Sequence, residues 1–315
     1  MATYGPLENK LVVLIGGSGF VGSHVVEELL ARGARLRIAS RHPEKAHRLR
    51  PLANLGQIQF ARCDVRKRRS LEAVMQGADA AVYLVGSFSG DLEALHAEGA
   101  GHAAEAAAAN GMQSFVYVSA IGADPESASS YASTKARGEE LVRQAFPTAT
   151  VLRPSVMFGE EDKFVNLFAG LIAGLPVLPV FGPEAKLQPV WVDDAAEALV
   201  NALADPGQHG GKTYEIAGPE PIAMLDLHRR IAAAQGRERH LVPMPDALSA
   251  VFAKLPLSPM NADQWTMLKA GSVPSGEHPG LKELGVAPKP LDLFLGRWMS
   301  RYRKHGRFGD KRSPA

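Results

Sequence analysis

Leu11-Val12-Val13-Leu14-Ile15-Gly16-Gly17-Ser18-Gly19-Phe20-Val21-Gly22-Ser23-His24-Val25-Val26-Glu27-Glu28-Leu29-Leu30 is the stretch that decides the fold. Five apolar residues read as a buried strand, the glycines as a turn, and the segment that follows as an amphipathic helix. In that setting the Gly-x-x-Gly-x-x-Gly turn is a dinucleotide cradle. Gly16 permits the tight turn, Gly19 lets the backbone approach a pyrophosphate, and Gly22 allows close helix–strand packing, while the helix N-terminus offers free N–H groups and a positive dipole. Ser18 and Phe20 share the turn and join the candidate contacts. A glycine triplet alone is a weak signal; between a strand and a helix it is a strong one.

Outward from this turn, short β-rich apolar runs alternate with helical stretches as far as about Val156, the form of βαβ units feeding a parallel sheet. The expected strands are Leu11–Ile15, Arg35–Ala39, Ile58–Ala61, Ala80–Val85, Phe115–Ser119 and Thr150–Leu152. The expected helices lie near Gly19–Arg32, Ser70–Met75, Leu92–Asn110 and Tyr131–Ala145. Beyond Gly159 eleven prolines from Pro176 to Pro259 interrupt shorter elements. The fold class is therefore α/β, a doubly wound parallel sheet with a smaller C-terminal lobe. We expect a nucleotide domain over 10–158, a strand and helix at Val190–Val192 and Asp193–Leu203 that return to it within 187–204, a smaller lobe over 159–186 and 205–300, and a basic tail over 301–315. Asp193 or Asp194 is expected to cap that returning helix rather than to bind a metal.

The end of the second strand, Ile38-Ala39-Ser40-Arg41-His42-Pro43, carries no acid to hold a ribose and places Arg41 where a guanidinium meets a 2′-phosphate, which favours NADP(H) over NAD(H). A solvated loop charge is the plainer alternative for Arg41, and Arg37 reads as a surface residue. Asp64 and Val65, after the third strand, stand where an acid holds an adenine amino group and an apolar side chain covers the ring. Tyr131 and Lys135 open a helix four residues apart and share a face. A lysine ammonium near a phenol, together with the positive charge of an oxidised nicotinamide, is expected to lower the phenol pKa toward the range of proton transfer.

Composition sets the limits. The 315 residues, 46% apolar and 22% charged, describe an ordinary globular protein of about two domains. The net charge of +2 is uneven: Arg297–Ala315 holds seven Lys/Arg against Asp310, which leaves −4 on the other 296 residues. The basicity is thus attributed to the tail, and no nucleic-acid face is expected. The lone Cys63 makes no internal disulfide, the ten histidines are dispersed, and no metal is expected. No apolar run approaches the ~20 residues of a bilayer span, and Met1–Asn9 lacks the form of a secretory signal, so a reducing, cytoplasmic setting is the default. Glu160-Glu161-Asp162 is either an acidic loop at a substrate mouth or simply solvated. Near the C-terminus Leu291, Phe294 or Leu295, Trp298 and Tyr302 recur at helical spacing beside basic residues. That helix either lies on an anionic membrane with Trp298 and Tyr302 at headgroup level, or packs on the second lobe.

Gly16–Gly22, Asp64-Val65, Phe115–Ser119, Val118–Asp124, Tyr131–Glu139, Leu152–Gly159 and Val190–Ala196 together resemble an extended or atypical short-chain dehydrogenase/reductase, of the NAD-dependent epimerase/dehydratase-like kind. More narrowly they are similar to the NADPH-binding accessory subunit family of respiratory complex I and its bacterial relatives. The resemblance implies a tightly held NADP(H) contacted by Gly16, Ser18, Gly19, Phe20, Gly22, Arg41, Asp64, Val65, Val85, Gly86, Ser119, Tyr131, Lys135, Pro154 and Val156, with Lys135 on the nicotinamide ribose. It implies complex I subunits as partners and a peripheral place on the inner face of the energy-transducing membrane. The catalytic candidates are Tyr131, Lys135 and Ser119. Ser119 stands at the strand end, but Ala120 and Ile121 occupy the next places, where catalytic branches carry a carbonyl-polarising Ser or Thr. A free NADPH-dependent oxidoreductase, epimerase or dehydratase with a small-molecule substrate is the rival expectation, and a redox sensor a third.

Overall fold

The computed structural model describes residues 5–253 and 260–304. In chain order the first part runs β1 Leu11–Ile15, α1 Phe20–Ala31, β2 Arg35–Ser40, a 3-10 segment Pro43–Leu52, β3 Ile58–Arg62, α2 Arg68–Met75, β4 Ala80–Tyr83, a π turn Glu93–Glu98, α3 Gly99–Ala109, β5 Ser114–Val118, α4 Ser130–Ala145 and β6 Thr150–Pro154. Then follow β7 Met157–Phe158, α5 Phe164–Gly174, β8 Val177–Val180, β9 Lys186–Leu187, β10 Val190–Trp191, α6 Val192–Ala204, α7 Pro206–His209, β11 Thr213–Ile216, β12 Ile222–Ala223, α8 Met224–Ala234, β13 His240–Pro243, α9 Asp246–Phe252, α10 Ala262–Ala270 and α11 Asp292–Met299.

The chain divides into two compact units, the first comprising Met1–Pro154, Val192–Ile216 and Ser275–Ala287. Its centre is a seven-stranded parallel sheet in the order β11-β6-β5-β4-β1-β2-β3. The two βαβ halves run outward from β1 in opposite directions, so the turn after β1 lies at the point where strand order reverses, where open α/β sheets bind their ligands. Continuous burial of Val12–Ile15 and of Ser114–Val118 is what a parallel sheet covered on both faces requires. On one face the small side chains of Ala100, Ala103, Ala104 and Ala107 in α3 are fully buried in the same core as Phe115, Tyr117 and Val142.

Three expectations change here. The strand near Val190 pairs with β7 in the second unit and does not enter the large sheet; the strand that does is β11, beside β6. Helix α6 begins at Val192, so Asp193 and Asp194 lie inside its first turn and neither is the cap residue. The stretch expected as one helix, Leu92–Asn110, starts with a π turn before α3. That turn is held by strand tyrosines, Tyr83 donating to Leu95 O at 2.6 Å and Tyr117 to His96 O at 2.9 Å. They satisfy carbonyls that a widened turn would otherwise leave buried and unpaired.

The second unit comprises Ser155–Trp191, Ala217–Pro274 and Pro288–Ala315. Its core gathers Phe158, Val165, Ile172, Leu178, Leu227 and Ile231 with Leu291, Phe294, Leu295, Trp298 and Met299. The apolar side of α11 is therefore consumed in packing: Trp191 stacks on Phe294 at 3.8 Å, and Trp298 is 4% exposed. Tyr302 Oη donates to Asn166 Oδ1 at 3.0 Å. Of the two alternatives for this helix the structure shows the packed one, with Trp298 buried and Tyr302 half-buried. The basic residues from 305 onward lie outside the described residues. Asp162 is no solvated loop acid either: it is 4% exposed and accepts the N–H groups of Gly159 and Val165, closing the turn that starts α5. Burial raises its carboxyl pKa.

Candidate functional site

The turn between β1 and α1 has the form that a pyrophosphate needs. Gly16 has φ +85°, a left-handed conformation that a side chain rarely adopts. A β-carbon on Gly22 would stand 2.5 Å from Gly17 O, whereas one on Gly19 would meet nothing closer than Gly16 O at 3.5 Å. Gly22 is thus glycine because the turn presses on the helix; Gly19 is exposed and faces open space. No acidic residue stands in the first turn of α1, so nothing opposes an anion at its N-terminus. Ser18 and Phe20 are half-buried in this turn, Phe20 edge-on to His24 at 5.5 Å.

At the ends of β2 and β3 the outcomes differ. Arg41 is exposed just after β2, and the neighbouring Ser40 Oγ is buried with no hydrogen-bond partner among the described residues. Arg37 is no free surface cation: its guanidinium donates to Val74 O and Gln76 O at 2.7 and 2.8 Å, tying β2 to the end of α2. Asp64 is gripped by Arg66 through Nε at 2.9 Å and Nη2 at 2.8 Å. That charge-assisted pair holds its pKa down to about 2, and the carboxylate meets a guanidinium where an adenine contact was expected. Val65 is buried in the core of the unit.

The Tyr131/Lys135 pair sits on α4, whose first turn is capped by Ser129 Oγ accepting from Ala132 N–H at 3.3 Å. Lys135 is 2% exposed, and its Nζ donates to Val85 O at 3.0 Å and Val118 O at 2.8 Å, bridging the ends of two neighbouring strands. Its Nζ lies 5.9 Å from the Tyr131 ring centre. A β-carbon on Gly86 would be 3.8 Å from Tyr131 Oη and 4.0 Å from Lys135 Nζ, so the structure brings Val85, Gly86, Tyr131 and Lys135 together. Ser119 is 2% exposed and its Oγ has no partner among the described residues. A buried hydroxyl left unpaired is costly, and an incoming ligand group relieves it. Pro154 ends β6 buried, its carbonyl accepting from Ile121 N–H at 3.0 Å. Val156 belongs to the second unit, half-buried against that unit's core.

Burial sets the pKa values of this pair. Burial pushes the Tyr131 phenol up to about 12 and pulls the Lys135 ammonium down to about 7, Glu139 opposing the latter. Desolvation of each charged form is the main cause. Two residues that spacing did not reveal contribute. Phe88 stacks on Tyr131 with centres 4.6 Å apart, and His96 meets it edge-on at 5.0 Å. His96 Nε2 accepts from Ser87 N–H at 3.0 Å, which leaves the proton on Nδ1 to face Thr134 Oγ1 at 2.9 Å, and Thr134 in turn donates to Ser130 O at 2.7 Å. This chain of bonds pins the Gly86–Phe88 turn to the start of α4. Burial first, then the Lys135 charge, drive the imidazole down to about 3, so it stays neutral.

Comparison with known proteins agrees with this geometry. The profile of an NAD(P)H-binding family matches residues 16–170. The mouse mitochondrial protein NADH dehydrogenase (ubiquinone) 1 alpha subcomplex subunit 9 is 31% identical over 306 residues, covering 94% of this chain and 81% of the mouse protein. A ceramide reductase of Caulobacter vibrioides is 30% identical over 241 residues, 75% of this chain and 74% of that protein. Among solved structures, an NADPH-dependent quinone oxidoreductase of Escherichia coli in complex with NADPH superposes with a TM-score of 0.73 at 20% identity, over 92% of this chain and 99% of that one. The chain is an NAD(P)H-binding protein and belongs to the family of the NADH dehydrogenase (ubiquinone) alpha subcomplex subunit 9.

Proposed function

We propose that the protein is an accessory or assembly subunit of a membrane-associated NADH:quinone oxidoreductase, complex I, and that it holds NADP(H) as a structural group. The observation that carries this reading is the likeness to a mitochondrial NADH dehydrogenase subunit over 94% of this chain. The Phe88–Tyr131 stack, which partly covers the phenol, supports the same role. Gly16–Gly22 would receive the pyrophosphate, Ser40 and Arg41 the 2′-phosphate, and Ser119, Tyr131 and Lys135 the nicotinamide end. A bound nicotinamide supplies hydride chemistry in principle. Here its main effect is stabilisation, because a ligand that binds only the folded state stabilises it by mass action.

No helix among the described residues is long and apolar enough to cross a membrane, so attachment would run through protein partners or the basic end of the chain. The intact Tyr131 and Lys135, together with the likeness to a ceramide reductase, favour a second reading as an NADPH-dependent reductase of a carbonyl compound. Purification of the tagged chain from its own membranes in mild detergent separates the two. Co-purifying quinone oxidoreductase subunits and NADP(H) that does not exchange are expected. A solitary protein with freely exchanging nucleotide, whose turnover falls ~10²-fold in Tyr131→Phe, would establish the reductase instead.

A further inference from the structure

The basicity of the chain is not confined to its tail. From Arg35 to Arg69 stand eleven Lys/Arg against Glu44 and Asp64, a local charge of +9 in a chain of formal charge +2. Nine of these eleven are Arg, whereas the rest of the chain has 13 Arg to 11 Lys. The first unit folds this segment around β3, the outermost strand of its sheet, bonded to β2 on one side only. Several of the cations are engaged: Arg66 by Asp64, Arg68 by Glu72 and Glu105, Arg37 by backbone carbonyls, Arg50 over Phe60. Arg41 is left to the proposed nucleotide site, and Arg48 reaches Ser23. Arg35, Lys45, Arg62, Lys67 and Arg69 are exposed and form no ion pair among the described residues. Leu52 and Leu55, on the connection into β3, are exposed at 47% and 107%.

We propose that the β3 edge of the first unit is a docking surface for a carboxylate-rich segment of a protein partner, clamped by the unpaired arginines and anchored by Leu52 and Leu55. It goes beyond the assembly role and does not depend on it. Charge complementarity sets the sign of the partner. The excess of Arg over Lys selects for paired hydrogen bonding to planar carboxylates, and protein interfaces are enriched in Arg and depleted in Lys. The outer edge of β3 offers backbone groups to an added strand, and apolar side chains amid charge serve as anchors. A lipid surface responds to Lys and Arg alike and gives no reason for the bias. A nucleic acid would need stacking faces, and the one Phe, Tyr or Trp of the segment, Phe60, is covered by Arg50 and His47.

The test titrates labelled poly-L-glutamate with the full chain at physiological salt, in parallel with phosphatidylglycerol-containing vesicles and duplex DNA. The triple variant Arg62→Glu/Lys67→Glu/Arg69→Glu should weaken polyglutamate binding about tenfold or more while NADPH affinity holds, and Arg303→Glu/Lys304→Glu should bind as the wild type does. Unchanged binding by the triple variant overturns the proposal. So does tighter binding of vesicles or DNA than of polyglutamate with the same dependence on the three residues. Should the triple variant fail to fold, Arg62→Lys/Arg69→Lys keeps the charge and is expected to lose about threefold or more, and wild-type affinity there refutes the arginine clamp.

Discussion

Gly19 and Gly22 belong to one motif but are glycines for different reasons, and alanine at each should fail differently. At Gly22 the added β-carbon would lie 2.5 Å from Gly17 O and 2.6 Å from its carbonyl carbon and Cα. These are backbone atoms of a turn and cannot swing aside. Alanine gains about 1 kcal/mol of helix propensity, but overpacking of this kind costs about 1–3 kcal/mol and more where backbone must move. We expect a net loss of about 1–2 kcal/mol and a fall in Tm of about 2–8 °C without nucleotide. At Gly19 the backbone φ is −81° and the nearest atom to a β-carbon is 3.5 Å away. Only a poorer helix cap is lost, about 0.5 kcal/mol. The methyl group, however, fills the space assigned to the pyrophosphate. A wild-type protein at 100 times its Kd gains about 2.7 kcal/mol from nucleotide, and Gly19→Ala should lose most of that gain. Thermal melts with and without NADPH read both quantities. If Gly19→Ala is as unstable as Gly22→Ala without nucleotide, or is stabilised by NADPH as fully as the wild type, the assignment of the open space over Gly19 to the pyrophosphate is wrong.

The buried lysine gives a pH signature. Its folded pKa of about 7 lies below the ordinary lysine value of about 10.4, so between those limits the unfolded chain binds a proton that the folded chain does not. Stability therefore rises with pH across that window by at most about 3–5 kcal/mol from this group, and the penalty is complete below about 7. Urea melts of Lys135→Met at pH 7 and 9.5 should show a shallower rise than the wild type, and parallel slopes would refute the assignment. Glu139, 1% exposed, accepts from Arg153 twice at 2.8 Å and from Arg143 at 3.2 Å. Glu139→Gln should cost about 3–5 kcal/mol in chemical denaturation, and a loss under about 1 would mean the cluster relaxes without it. Calorimetric titration of Arg41→Ala should show NADPH affinity reduced about tenfold with NADH nearly unaffected; equal effects on both would discard the 2′-phosphate contact.

What was legible in the sequence is what local period and local geometry determine. Leu11–Ile15 and the glycine turn are readable because each residue's burden is carried by its neighbours in the chain. Strand β11 was not. In Thr213–Ile216 a buried acid breaks the apolar run, and Glu215 is tolerated only because Ser275, sixty residues away, donates to it through N–H and Oγ, the latter at 2.9 Å, with Arg153 Nη1 at 3.9 Å. The π turn was hidden for the same reason: its carbonyls are satisfied by Tyr83 and Tyr117, which lie on two strands, while its own residues read as ordinary helix. His96 stands in the sequence as one of ten dispersed histidines, since its partners Ser87 and Thr134 meet it only after folding.

The Tyr131/Lys135 pair shows how far spacing reaches. Four residues on a helix guarantee that two side chains share a face, and they do. Spacing does not fix the sign of their electrostatic effect, because that depends on how much water each charged form loses. Here the ammonium is spent on Val85 O and Val118 O, the carbonyls at the ends of the strands that flank the nicotinamide end of the proposed site. A lysine so placed acts as a tie between strand ends whether or not a proton moves nearby, and it would keep that role in a chain that performs no catalysis. The phenol, under Phe88 and beside a neutral His96, is half-buried in the same arrangement. Retention of Tyr-x-x-x-Lys is therefore compatible with a structural nucleotide site. What separates a working acid from a retained one is the access of a substrate carbonyl to the phenol, and in this chain Phe88, itself 48% exposed, stacks over that ring.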